Sequence, residues 1–349
     1  MKSKTKKKFL IPIAGILVIV LFVAGYYAYQ LFIVPKITNL SVPTVSYPRQ
    51  SVIYSYFIQS TGLEATFGDQ TMPASQVTTE LIEDMKNIKS IGFDGIKLTY
   101  TFRVNNYLAD RIALRASQEG LYPIGLLEGF RAKPKDRGFT PEEMTEWLSF
   151  VREEVSTQKN ITYYWEIWNE PGLEMFKYGS PEEFVQLLKV TYPVIKEANP
   201  DAKVIVTLSA EAGDTSGFED QVLALGGGDY FDILSFHPYG ANPYLQEDQI
   251  SAAITREQAL VDKYHNQWPL VISEVGQPTS EVSEEEQARL AVFLYTEAAK
   301  KNIPVTWYYW SDERLPRDFV LMDGNGNWGL IRNDGTERPI VGAIRKFLK

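Results

Sequence analysis

Trp165-Glu166-Ile167-Trp168-Asn169-Glu170-Pro171 reads as the end of a buried strand. The residues leading into it are apolar and aromatic, and the run stops at a carboxylate followed by proline, which cannot donate to a sheet ladder. A second run, Leu270-Val271-Ile272-Ser273-Glu274-Val275-Gly276, has the same plan: four apolar or small residues, a glutamate, and a glycine close behind. Nearly continuous apolar runs of this length suit strands of a parallel sheet covered on both faces.

Working outward from these two runs, strand-like segments recur along the chain. They fall at Val52–Phe57, Gly95–Thr101, Tyr122–Leu127, Tyr163–Asn169, Lys203–Leu208, Phe231–Phe236, Leu270–Glu274 and Val305–Trp310. Helical patterns separate them, at Thr79–Lys89, Ala109–Glu119, Pro141–Val155, Pro181–Glu197, Phe218–Ala224, Asp248–Tyr264, Glu284–Lys300 and Ile340–Lys349. Thr140-Pro-Glu-Glu143, Ser180-Pro-Glu-Glu183 and Ser283-Glu-Glu-Glu286 are capping-box starts, two of them with proline at the first helical position. Strict alternation of strand and helix calls for a parallel sheet with right-handed crossovers. Eight such units predict a closed (β/α)8 TIM barrel over residues 51–349. The alternative, an open doubly wound sheet, would be favoured by a glycine-rich phosphate loop after the first strand, and the sequence has none there.

The N-terminus is of another kind. Lys2, Lys4, Lys6, Lys7 and Lys8 make residues 1–8 basic, and Phe9 to Val34 is an apolar run long enough to span a bilayer. Lysines on the N-terminal side predict that this side stays in the cytoplasm and that residues 9–34 act as a transmembrane signal-anchor. A cleaved signal peptide is the competing reading, although its apolar region is usually about 7–15 residues. In both cases the barrel is extracytoplasmic, and the proline-bearing segment 35–50 is its linker.

Composition narrows the chemistry. The chain has 349 residues, a net charge of −9 and no cysteine, so disulfides, thiolate nucleophiles and cysteine-held zinc are excluded. An acidic chain without a basic stripe argues against nucleic acid as a partner. There are only two histidines, His237 and His265, and His265 lies in a polar stretch that reads as exposed. Twenty tyrosines and seven tryptophans suit flat, weakly polar ligands such as sugars. No metal and no organic cofactor is implied.

In a (β/α)8 barrel the active site lies at the C-terminal ends of the strands. There the fourth strand ends in Asn169 and Glu170, the sixth leads into His237-Pro238-Tyr239, the seventh ends in Glu274 and the eighth in Trp310. Two carboxylates facing each other across a pocket are the machinery of glycoside hydrolysis. Side-chain alternation puts Glu166, Trp168 and Glu170 on one face of their strand. A carboxylate inside the barrel must be paired, and Lys97 on the second strand is the candidate partner of Glu166.

Trp165-Glu-Ile-Trp-Asn-Glu-Pro171 resembles the strand-four signature of the clan of retaining (β/α)8 glycoside hydrolases, and Ser273-Glu274-Val-Gly276 resembles its strand-seven motif. Ser235-Phe-His-Pro-Tyr239 is similar to its strand-six element and Trp307-Tyr-Tyr-Trp310 to its strand eight. The likeness runs over about residues 50–349 and is nearest to cellulase-like and β-xylosidase-like members. It implies that Glu170 is the general acid/base and Glu274 the nucleophile. Asn169 would bind the sugar 2-hydroxyl, His237 and Tyr239 would orient the glutamates or contact the substrate, and Trp310 would offer a flat face to the ring. Arg103, just after the second strand, would neutralise Glu274, although the clan's arginine is placed slightly differently. The expected partner is a carbohydrate: an oligosaccharide, a polysaccharide or a glycoconjugate.

Each residue also has a plain structural reading. Glu170 can open a turn before Pro171, Glu274 can be a solvated loop acid, His237 can be packed by Pro238, Trp310 can be core, and Arg103 can sit in an ion pair. Glu128, Asp312 and Glu313 are further acids near the strand ends. Asp323-Gly-Asn-Gly-Asn327 lacks the spaced acids of a calcium loop and reads as a turn. Transglycosylation on cell-surface glycans, or sugar binding without catalysis, stays open beside hydrolysis.

Overall fold

A computed structural model of the protein describes residues 47–55, 58–60, 64–67, 70–129, 132, 136–211, 217–240, 245–264, 268–312 and 327–349. The expected membrane anchor at 9–34, most of the linker, His265 and Glu313 lie outside them. Among the described residues no helix is long and apolar enough to cross a membrane.

The barrel strands are β1 (Gln50–Ser55), β5 (Gly95–Thr101), β6 (Tyr122–Glu128), β7 (Tyr164–Ile167), β8 (Lys203–Glu211), β9 (Ile233–Tyr239), β10 (Leu270–Val275) and β11 (Val305–Trp307). They close in the order β1-β11-β10-β9-β8-β7-β6-β5, and the pairings are parallel. Each expected strand is therefore present. Between β1 and the first helix, where only a loop was expected, the chain forms a small antiparallel sheet of β2 (Ile58–Ser60), β3 (Glu64–Phe67) and β4 (Gln70–Pro73). Segments of three and four residues carry too few alternations to be recognised by period.

The helices are α1 (Ala74–Ile91), α2 (Tyr107–Gln118), α3 (Pro141–Thr157), α4 (Pro181–Ala198), α5 (Phe218–Ala224), α6 (Glu247–Lys263), α7 (Glu284–Lys300) and α8 (Pro339–Phe347). Two of the three capping boxes close as expected, and at Ser283 the serine half forms while Glu286 pairs with Arg289. Thr140 and Ser180 each accept from the backbone N–H three residues on, and Glu143 and Glu183 reach back to the cap N–H. Ser283 accepts from the N–H of Glu286.

Inside the barrel the side chains lie in layers. The floor is apolar: Tyr47, just before β1, packs with Ile124, Tyr164, Ile205, Ile233 and Val271, all buried. Above it lies a polar layer. Lys97 Nζ meets Glu166 Oε2 at 2.7 Å, and Thr207 Oγ1 donates to Glu166 Oε1 at 2.5 Å. Ser235 and Ser273 complete this layer. The pairing expected from alternation along the fourth strand, Glu166 with Lys97, is thus present. Such a pair is tolerated because its remaining lone pairs and protons find partners.

Alternation fails one turn later. β7 ends at Ile167, and Trp168 and Glu170 have φ of 65° and 45°, the left-handed region that costs a side-chain-bearing residue about 1–3 kcal/mol. Trp168 accordingly leaves the face of Glu166. It packs outward among Tyr178, Phe139 and Trp147, with ring centroids 4.8, 5.9 and 6.0 Å away, and its Nε1 donates to the Phe176 carbonyl at 2.6 Å. The aromatic cluster holds the turn, and the turn delivers Asn169 and Glu170 to the barrel mouth.

Candidate active site

At the C-terminal mouth, four of the residues singled out in the sequence come together. Glu170, His237 and Glu274 are all buried, and each offers an atom within 4.8 Å of the others. His237 and Tyr239 are on β9, two apart, and so share a face. Tyr239 donates its hydroxyl to Glu274 Oε1 at 3.3 Å. His237 Nδ1 lies 2.5 Å from Glu170 Oε1, and its Nε2 lies 3.0 Å from Ser273 Oγ. The three groups are close enough to hold a cation, but both ring nitrogens of His237 are already engaged by protein.

Neighbours on a strand ordinarily face opposite ways, yet Ser273 and Glu274 both point inward. The β10–β11 register shifts between Ile272 and Val275. A bulge of this kind re-aims a side chain, and such bulges favour barrel rims and active sites. Here it lets one strand supply the hydroxyl below His237 and the carboxylate beside Glu170.

The surroundings set the charge states. Burial pushes the imidazole of His237 down to about 4; the charge of Glu274 opposes this and that of Lys97 adds to it. His237 is therefore neutral in ordinary buffers, with one ring proton. Burial raises the phenols of Tyr239 and Tyr308 well above their usual range, and the charge of Glu274 adds to both. They remain hydrogen-bond donors. Asn169 is buried, and among the described residues its Oδ1 has no hydrogen-bond partner. A buried acceptor of this kind is suited to an incoming hydroxyl.

Two expected residues stand elsewhere. Arg103 does not reach Glu274. Its own φ is 64°, its guanidinium stacks on Phe102, and its Nη2 pairs with Glu146 Oε2 at 2.7 Å on the surface. Trp310 is buried, but it lines a cleft with Glu83 and Asn87 of α1 and with Ile331. β11 stops at Trp307, so alternation no longer holds at residue 310. The aromatic residue that reaches the site is Tyr308, which packs edge-on to Trp328 at 5.2 Å and belongs to the same buried cluster as Tyr239. Two residues earlier Thr306 also faces inward, where its Oγ1 meets the Tyr47 hydroxyl at 3.0 Å.

Of the further acids, Glu128 is buried and accepts from Thr101 Oγ1 at 3.2 Å. Asp312 is taken up by structure. It pairs with Arg338 at 2.7 Å and accepts from the Gly329 N–H at 2.7 Å, which fastens the return of the chain after β11.

No family profile matches the chain, and no curated protein matches it. Solved structures do. A family 39 glycoside hydrolase from the gut symbiont Bacteroides cellulosilyticus WH2 superposes with a TM-score of 0.64 at 20% identity, over 85% of this chain and 62% of that one. A GH5_18 structure from Streptomyces cattleya in complex with Manb1-4GlcNAc gives 0.64 at 15% identity, over 86% and 80%. A monomeric β-xylosidase from Caulobacter crescentus CB15 gives 0.58 at 17% identity, over 76% and 64%. The chain thus spans less than two-thirds of the length of the first and third of these. At such identities the likeness is one of fold, a parallel eight-stranded barrel.

Proposed function

We propose that this protein is a retaining glycoside hydrolase acting on β-linked carbohydrate, with Glu170 as general acid/base and Glu274 as nucleophile. The observation that carries the reading is the spacing. Oxygens of Glu170 and Glu274 lie within 4.8 Å of each other at the mouth of a (β/α)8 barrel. Retaining enzymes hold their two carboxyl groups about 5–5.5 Å apart, whereas inverting ones leave roughly 6.5–9.5 Å for a water. The fold neighbours support it, since their names are those of glycoside hydrolases.

In this reading the Glu274 carboxylate attacks the anomeric carbon while Glu170 gives its proton to the departing oxygen and the C–O bond breaks. Glu170, now ionised, takes a proton from the water that attacks the glycosyl ester, and Glu274 is released as carboxylate. Tyr239 holds the attacking oxygen on its path. Asn169 offers its open acceptor to a sugar hydroxyl, and Tyr308 with Trp328 forms an aromatic wall. The reading also keeps residues 9–34 as a membrane anchor, with the barrel outside the cytoplasm.

The test pairs full-length wild type with Glu274→Ala on a panel of aryl β-glycosides and β-linked oligosaccharides. Activity on one glycone, a loss of about 10⁴-fold or more in the variant, and rescue by azide with formation of the α-glycosyl azide are expected. A β-configured azide product would instead make Glu274 the acid/base, with azide opening a glycosyl ester formed on the other glutamate.

A further inference from the structure

One histidine and one serine connect Glu170 to the polar layer of the barrel. Burial keeps His237 neutral, so its ring carries a single proton. The charged and titratable groups that act on it are Glu170 and Glu274 above and Lys97 and Glu166 below. With Glu170 ionised, an oxygen 2.5 Å from Nδ1 requires the proton there, because two lone pairs cannot face each other at that distance. Nε2 is then a bare acceptor, and Ser273 Oγ at 3.0 Å is its donor.

Ser273 Oγ has two other neighbours in the layer that its single proton could reach, Glu166 Oε1 and Thr207 Oγ1, each at 3.1 Å. Glu166 Oε1 already accepts from Thr207 at 2.5 Å, and its Oε2 is paired with Lys97 at 2.7 Å. Ser235 donates to Ser273 Oγ at 2.6 Å and so turns the serine's own proton away from it. The backbone carbonyl of Ser273 accepts from Lys97 Nζ at 3.2 Å, which fixes the residue in place.

We infer that Ser273 is a positioning residue: its hydroxyl donates to His237 Nε2, fixes the imidazole as the Nδ1–H tautomer, and so leaves Glu170 to carry its transferable proton on the oxygen turned away from the histidine. Were the ring to take the Nε2–H form, its Nδ1 would draw the Glu170 proton onto Oε1, where no leaving group can use it. The inference rests on Glu170 being the acid of the proposed reaction, but the tautomer can be read without any substrate.

The chain has only two histidines, so the full-length protein labelled with ¹⁵N-histidine gives a spectrum that a His265→Gln variant assigns. The expected spectrum shows His237 protonated at Nδ1 and bare at Nε2 in the wild type, with protonation moving toward Nε2 in Ser273→Ala. Kinetically, Ser273→Ala should slow hydrolysis of glycosides with poor leaving groups by roughly tenfold or more, a share of the ~10²–10⁴ that a general acid supplies. Dinitrophenyl glycosides, whose leaving group needs no proton, should change much less. An Nε2–H ring in the wild type would overturn the inference, as would equal losses on both substrate types. If Ser273→Ala does not fold, the wild-type spectrum still decides. An Nδ1–H ring in a protein inactive on every glycoside would support the positioning and tell against the enzymatic reading.

Discussion

Single residues decide more here than their strands do. Lys97 and Glu166 are both buried and share one ion pair beneath the site. Removing one partner of such a pair leaves a charge uncompensated, so Lys97→Met should cost about 3–5 kcal/mol in urea unfolding, and adding Glu166→Leu should recover most of it. A Lys97→Met variant as stable as wild type would mean that Glu166 is neutral or hydrated. Glu166 was legible as a paired inward acid because it lies within the regular part of its strand. Trp168 was not, because a left-handed turn intervenes between two residues that alternation would keep together. Arg103 was misjudged for the same reason: a positive φ just past a strand end sends the side chain outward.

At the scale of elements, helix order and starts followed from local rules, since a cap and its partner are three residues apart and the sequence displays both. Contacts between helices are less visible. Asp110 in the first turn of α2 and Glu154 of α3 face a common half-buried space, where Gln158 donates to Asp110 at 2.7 Å and Asn106 donates to Glu154 at 2.9 Å. Burial, and then the charge of Glu154, raises the Asp110 carboxyl from its ordinary 3.8 to about 7. A carboxyl raised in the folded state binds more protons there than in the unfolded chain. Stability is therefore fullest below about pH 4 for this group and declines as pH climbs toward 7. Asp110→Asn should leave stability unchanged near pH 4 and add roughly 1–2 kcal/mol at pH 8, after allowance for screening. Parallel stability profiles of the two proteins would show that Asp110 ionises normally. Nothing in the sequence discloses this pairing, because residues 110 and 154 meet only once two helices pack. The bulge that turns both Ser273 and Glu274 inward is hidden for a similar reason, since a register shift belongs to two strands at once.

For the whole molecule, the alternation of eight strands and helices sufficed to predict the barrel, and the strand-end rule led to Glu170, His237, Tyr239 and Glu274 together. It did not find Tyr308, which a longer strand eight had displaced in favour of Trp310. Placing the barrel outside the cytoplasm rests on the basic residues 1–8 and the apolar run after them. In intact cells, externally added protease should digest the barrel while the full-length chain sediments with membranes. Protection of the barrel until the cells are lysed would refute that orientation.

The layered interior has one further consequence. Below the polar layer the barrel is plugged by Tyr47, Tyr164 and their aliphatic neighbours, so nothing passes through its axis. The site is a cul-de-sac: whatever arrives by the mouth departs by the mouth.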